Sequence, residues 1–494
     1  NHTNAAGQAS TSVLDRIVPG YYHRLDETGN VTTSTCCSNT ATEHEMMGRL
    51  MIDSVVTWAK EHKVDGFRFD LMGHHSKQNM LDVRAALDEL TLADDGVDGS
   101  SIYVYGEGWN FGEVADNARF VQATQLEMAG TGIGTFSDRL RDAVRGGGPF
   151  DDGQSLLDNQ GWVNGLWYDS NGGLPDAVAL DELLLSGDQI RVGLAGNLAS
   201  YEFVDRNGNL VTGADVDYNG SPAGYTADPQ ENIVYVAAHD NQTLFDIGQY
   251  HHPVGTPMAE RVRAQNVGNA VVALAQGVNF FHAGQDMLRS KSLDRDSFNS
   301  GDWFNRLDFT YQSNNFGVGL PVAEKNESNW PIQGPLLANP DLVPEASDIV
   351  RNVEVTREWL EIRTSSPLFR LQTAAEVQER VSFLNTGASQ IPGLVVMQVS
   401  DPAGGTTDLD LVRDGVVALF NPTDEPVEFA APQLAGTGLE LHPVLAQSVD
   451  PLVRTSTFDD VSGTFVIPAR TASVFVDPGP DLAPPTATAA FETL

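Results

Sequence analysis

Between residues 43 and 283 the chain repeatedly pairs a stretch of apolar residues at helical spacing with a short β-rich run that ends in polar side chains. This alternation constrains the fold most, because consecutive parallel strands need a crossover helix between them, whereas antiparallel strands do not. Residues 43–62 carry Met46, Met47, Leu50, Met51, Val55, Trp58 and Ala59 at helical intervals, and the apolar run 64–69 follows at once. Residues 79–92 read as the next helix and 101–105 as the next strand. Further on, 180–185 reads as helix, 189–194 and 233–238 as strands, 258–276 as helix and 278–283 as a last β-rich run. The strand ends carry Asp70, Glu107, Asn197, His239 with Asp240, and Gln285 with Asp286. A parallel α/β barrel gathers its active site at the carboxyl ends of its strands, so this placement predicts a barrel enzyme. A doubly wound open sheet is the alternative, but no G-x-G-x-x-G follows any of these strands.

Two segments interrupt the alternation. Residues 130–173 form a long Gly-rich connection, of the kind that is usually functional inside a compact domain, and 205–230 read as a polar insertion. Past residue 365 short alternating runs at 393–399, 415–420, 427–429 and 463–467 are separated by Pro, Gly, Asp and Asn, which predicts an all-β sandwich. The expected division is a catalytic domain over 1–364, a β-sandwich over 365–477 and a Pro-rich tail over 478–494. With 494 residues the chain exceeds what one core supports.

The 67 acidic against 29 basic residues give a formal charge of −38, which makes nucleic acid and anionic membrane poor partners. Only five lysines are present, and the acidity is dispersed along the chain; adaptation to salty water and ordinary acidity both fit. No apolar run reaches the roughly 18 residues of a membrane-spanning helix. Cys36 and Cys37 are adjacent, either two free thiols or a strained vicinal bridge.

Three strand ends carry candidate chemistry. In DGFRFDLMGHH (65–75) Arg68 and Asp70 lie two residues apart and so project to one side of a strand; an Arg beside an Asp keeps the carboxylate ionised, as a nucleophile requires, though a plain salt bridge fits equally. In YVYGEGW (103–109) Glu107 stands between two glycines that let a ligand approach the backbone, and Trp109 offers an aromatic wall against which a carboxyl becomes a general acid; a turn glutamate is the plainer reading. In AAHDNQT (237–243) His239 and Asp240 suit a metal, sugar hydroxyls or a mutual hydrogen bond.

Taken in order, these motifs resemble the short sequence regions of the α-amylase superfamily. Their flanks, with DYNGSPAGYTADPQENIVYVAAHDNQTLFD (217–246) and LRSKSLDRDSFNSGDWFN (288–305), are similar to its pullulanase and limit-dextrinase branch. The resemblance covers nearly all of residues 1–329. It implies a (β/α)8 TIM barrel, here without its first three strands, followed by the sandwich. It also implies Asp70 as nucleophile, Glu107 as general acid and base, and Asp240 as transition-state stabiliser. Arg68 would orient Asp70, while His2, His74, Trp109, His239 and Arg295 would contact the sugar.

The implied reaction is retaining hydrolysis of α-1,6 branch linkages in pullulan, amylopectin and limit dextrins, with the two catalytic carboxyls about 5 to 5.5 Å apart. The implied partner is a branched α-glucan. No cofactor is required, and calcium is compatible with the many Asp and Asn oxygens of the loops without any site being fixed. An isoamylase-type or α-1,4-acting relative is the alternative within the superfamily, and a non-catalytic glucan-binding relative the alternative of another class. The opening NHTNAAG matches the last two residues of the family region read as DVVYNH, so its Asp is absent. Three missing strands would leave an unpaired edge, which predicts that residues 1–494 alone are unstable and inactive. By resemblance to bacterial relatives, secretion or surface attachment is favoured.

Overall fold

The computed structural model describes residues 13–35, 37–401 and 407–477. It divides into two compact units: Asn1–Ser137 with Asn197–Ala199 and Tyr225–Ile233, and Asp138–Gly196 with Ser200–Gly224 and Val234–Leu494.

In the first unit, α1 (Glu45–His62) turns Met47, Val55 and Ala59 inward and stops where Lys63 adopts φ 55° and returns its N–H to the Ala59 carbonyl. Strand β1 (Gly66–Phe69) follows within three residues. Helix α2 (Lys77–Asp88) starts where Ser76 Oγ accepts the Asn79 N–H at 3.1 Å, an N-cap that satisfies an otherwise orphaned donor. Its Met80, Val83 and Leu87 are fully buried. They join Val55 and Ala59 of α1, Met72, and Val104 of β2 (Tyr103–Gly106) in one apolar cluster. β1, β2, β3 (Gly134–Phe136) and β4 (Asn232–Val234) pair in parallel, with Arg68 opposite Tyr105, Tyr105 opposite Gly134, and Thr135 opposite Asn232. The parallel sheet predicted from the alternation is therefore present.

The second unit departs from the sequence reading in three places. The 130–173 connection is not structureless: beyond β3 it holds α3 (Asp138–Arg145), whose buried side includes Arg139, Arg141 and Arg145. A helix that buries guanidinium stems shows no apolar stripe in the sequence. Residues 189–194 are not a strand. Helix α4 (Asp176–Leu194) runs through them, and because it is buried continuously from Ser186 to Leu194 its apolar residues lie on all sides and lose the 3.6-residue period. The run 233–238 contributes only β4 and 278–283 only β5 (Val278–Asn279), joined by a Phe280 N–H to Val234 carbonyl bond of 2.8 Å. Helices α5 (Leu244–His251), α6 (Met258–Leu274) and α7 (Ala346–Thr364) also lie in this unit.

Residues 365–477 also belong to the second unit. There β6 (Val381–Phe383), β7 (Val395–Ser400), β8 (Gly415–Asn421), β9 (Val427–Ala430), β10 (Glu440–Leu441), β11 (Thr457–Asp459), β12 (Thr464–Ile467) and β13 (Thr471–Asp477) form two antiparallel sheets, ordered β6-β7-β8-β13-β10 and β9-β12-β11. One cluster draws on both: Val417, Leu419 and Phe475 from the first, Phe429, Phe465 and Ile467 from the second. Cys37 is disulfide-bonded, which removes the alternative of two free thiols. No helix among the described residues is long and apolar enough to cross a membrane.

Candidate active site

The carboxyl end of β1 and the segment after β2 lie side by side because the ladder continues past the strands: the Glu107 N–H bonds the Phe69 carbonyl at 3.1 Å and the Gly73 N–H bonds the Glu107 carbonyl at 2.8 Å. This register sets Arg68, Asp70 and Glu107 together. The Arg68 guanidinium donates through Nη1 to Asp70 Oδ1 and through Nη2 to Glu107 Oε1. The other Glu107 oxygen accepts the Leu71 N–H at 2.9 Å. Leu71 turns the chain at φ 49°, unusual for a residue with a side chain, immediately after Asp70.

One planar group holding both carboxylates limits their separation, and oxygens of Asp70 and Glu107 lie within 4.8 Å of one another. Their environments differ sharply: the Asp70 side chain is 61 % exposed and that of Glu107 only 7 %. The Arg68 guanidinium also lies 5.6 Å from the centre of the Phe136 ring, a cation–π contact that backs it from β3.

The two glycines around Glu107 pack closely against the protein's own backbone. A Cβ on Gly106 would stand 2.5 Å from the Phe69 carbonyl oxygen, and one on Gly108 2.7 Å from the Gln125 nitrogen. Trp109 is half-buried.

His74, expected at a sugar-binding position, is buried at 6 % exposure on a 3-10 turn, its ring edge-on to Phe111 at 4.6 Å, and neither ring nitrogen has a hydrogen-bond partner among the described residues. Burial holds its pKa below the ordinary histidine range; Glu113 opposes that shift and Arg24 adds to it. The neighbouring His75 is half-buried, with Nδ1 2.8 Å from Thr42 Oγ1 and a pKa pushed down to about 4 by burial. What places His74 inside is Arg24, which donates to the His74 carbonyl at 2.8 Å while binding Glu43 through two nitrogens and Glu113 through a third.

In the second unit His239 and Asp240 side chains are both exposed, with His239 Nε2 3.4 Å from Asp240 Oδ1. Arg295 donates to the Asp151 carbonyl at 3.0 Å. Sequence reasoning passed over Asp246 and Lys291, two buried charges near this segment. Burial pushes the Asp246 carboxyl up to about 6 and the Lys291 ammonium down to about 8. The available signal was Lys291 itself, a lysine in the middle of a motif of a lysine-poor chain. His2 and the 478–494 tail lie outside the described residues.

Residues 311–478 match the family described as alpha-1,6-glucosidases, pullulanase-type, C-terminal. The chain is 48 % identical over 484 residues to the chloroplastic pullulanase 1 of Arabidopsis thaliana, covering 97 % of this chain and 50 % of that one. With the pullulanase of Klebsiella pneumoniae it shares 42 % identity over 481 residues, covering 96 % of this chain and 42 % of the relative. Its backbone matches the crystal structure of the maltotriose complex of PulA from Klebsiella pneumoniae with a TM-score of 0.90 at 42 % identity, covering 97 % of this chain and 50 % of that one. The chain thus spans about half the length, or somewhat less, of the relatives it matches. By sequence and by backbone alike, it belongs to the pullulanase-type family.

Proposed function

We propose that the protein carrying this chain hydrolyses α-1,6 branch linkages in pullulan, amylopectin and limit dextrins with retention of configuration, through Asp70, Glu107 and Asp240. The observation that carries the reading is the Arg68 guanidinium bonded to both carboxylates, whose oxygens lie within 4.8 Å. Retaining glycosidases hold their two carboxyls about 5 to 5.5 Å apart, so that one attacks while the other donates a proton; inverting enzymes need roughly 6.5 to 9.5 Å to admit water.

Asp70, exposed and paired with a cation, is the nucleophile that bonds the anomeric carbon as Glu107 protonates the departing glycosidic oxygen. Glu107 then takes a proton from water, which releases the sugar from Asp70. Bonds to both Glu107 oxygens fix the plane of its carboxyl. Asp240 stabilises the oxocarbenium-like transition state, and His239, Trp109 and Arg295 contact the glucan. The parallel strands belong to a (β/α)8 barrel from the end of its third strand onward, within 1–364, and the two antiparallel sheets to a β-sandwich over 365–477. The chemistry needs no cofactor, because the carboxyls supply both acid and nucleophile.

The test is pullulan digestion by the whole encoded protein that contains Asn1–Leu494. Maltotriose is the expected sole product, first released as the α-anomer by proton NMR. Asp70→Ala is expected to lower kcat by at least about 10⁴-fold with glucan binding still measurable, the scale of losing a covalent nucleophile. Inversion at the anomeric carbon, or normal turnover by Asp70→Ala, refutes the reading.

A further inference from the structure

Of the five lysines in the chain, Lys291 alone is buried, at 1 % exposure, and it lies where the backbone leading to Asp240 ends. Its Nζ donates to the main-chain carbonyl of His239 at 3.0 Å, the residue immediately before Asp240. The lysine cannot drift, because its own N–H donates to Asp246 Oδ2 at 2.7 Å and the preceding Ser290 Oγ to Asp246 Oδ1 at 2.5 Å. Asp246 is wholly buried in the first turn of α5, with its N–H held by the Thr243 hydroxyl at 3.0 Å. On the other side Ser292 and Leu293 are left-handed at φ 53° and 67°, and the Ser292 hydroxyl donates to the Gly319 carbonyl at 2.7 Å. Two consecutive non-glycine residues in that region persist only where the surroundings over-determine the backbone.

The side chains of His239 and Asp240 are themselves more than half exposed. We infer that Lys291 is a positioning residue for Asp240: its ammonium clamps the His239 peptide and sets a positive charge beside the segment after β4 that presents the Asp240 carboxylate. The inference rests on the proposed role of Asp240 and adds to it the group that holds this carboxylate in place. The charges facing Lys291 are Asp246, Asp294, Asp240 and Asp296, with Arg289 as the facing cation; His282, also nearby, is kept neutral by burial, its pKa lowered to about 3. Four carboxylates around one ammonium bind it as a cation, while burial favours its neutral form and brings its pKa down to about 8. The clamp loses its charge when the lysine deprotonates.

The experiment compares Lys291→Met and Lys291→Arg with the wild type in the whole encoded protein, by thermal melting and by pullulan kinetics from pH 5 to 10. Lys291→Met is expected to lower kcat about 10²-fold with KM within threefold, the cost of a catalytic group misplaced by roughly 1 Å. Lys291→Arg, which keeps a charge that does not titrate, is expected to recover at least tenfold of that loss and to move the alkaline limb of kcat up by a unit or more. A folded Lys291→Met with kcat within threefold of wild type overturns the inference. If Lys291→Met does not fold, an alkaline limb of Lys291→Arg that coincides with the wild type overturns it. Asp240→Asn separates the two readings: normal turnover there removes the role of Asp240 and this inference with it. A crippled Asp240→Asn beside a fully active Lys291→Met removes this inference alone.

Discussion

Gly73→Ala is the smallest change expected to reach both catalytic carboxylates at once. Gly73 lies three residues after Asp70, and its N–H is bonded to the Glu107 carbonyl at 2.8 Å. A Cβ built on it would stand 2.1 Å from the Trp109 carbonyl oxygen and 3.0 Å from the Trp109 nitrogen. Ordinary contact begins near 3.4 Å, so the two segments must separate by about 1.3 Å, and the atom in the way is backbone that cannot rotate aside. Overpacking of this kind costs roughly 1–3 kcal/mol of stability. A displacement near 1 Å between reacting groups costs about 10²-fold in rate. The expected outcome is a protein that folds with a lowered urea midpoint and a kcat on pullulan down about 10²-fold, with KM changed far less. Kinetics corrected for the folded fraction separate the two effects. A folded variant with kcat within threefold of wild type refutes the argument that close packing of the 73 and 109 backbones sets the carboxylate geometry.

Two further outcomes follow from the structure. Burial alone would raise the Glu113 carboxyl, but hydrogen bonds from Arg24, Ser34 and Asn39 outweigh it and hold the pKa at about 2. A depressed carboxyl contributes stability that is present above its unfolded value near 4.5 and is lost as pH falls toward 2, so Glu113→Gln should flatten that part of the acid unfolding curve, by up to about 3 kcal/mol in urea titrations between pH 5 and 2. Phe465 is fully buried, with its ring centre 5.0 Å from Phe475 and 4.6 Å from Phe458, and Phe465→Ala should cost about 3–5 kcal/mol by chemical denaturation; a loss below about 1 kcal/mol would contradict the packing described.

The parts of the fold legible in the sequence are those where one face of an element is apolar and the other polar. Helix α1 is of this kind, whereas the β7 and β8 runs, buried at most of their positions, were legible through their β-rich composition and the turn residues that bracket them. Helix α4 was illegible as a whole because its second half has no solvent side. Strand β3 was illegible because three residues, Gly134 among them, carry too little pattern. At the site, the two-residue spacing of Arg68 and Asp70 foretold their ion pair, but not that the same guanidinium reaches Glu107, since that depends on the register between β1 and β2. The burial of His74 was hidden for a similar reason: the residues that enclose it, Arg24 and Phe111, are distant in sequence.

The shared guanidinium changes how kinetics on this site must be interpreted. Asp70 and Glu107 are each bonded to Arg68, so removing one carboxylate frees half of the cation to lean on the other and alters the charge felt by the residue left behind. Losses measured for Asp70 and Glu107 variants therefore do not partition into a nucleophile's share and an acid's share. Double-mutant cycles across the three residues would carry a large interaction energy, and small-anion rescue of either carboxylate reports on the behaviour of a three-body unit.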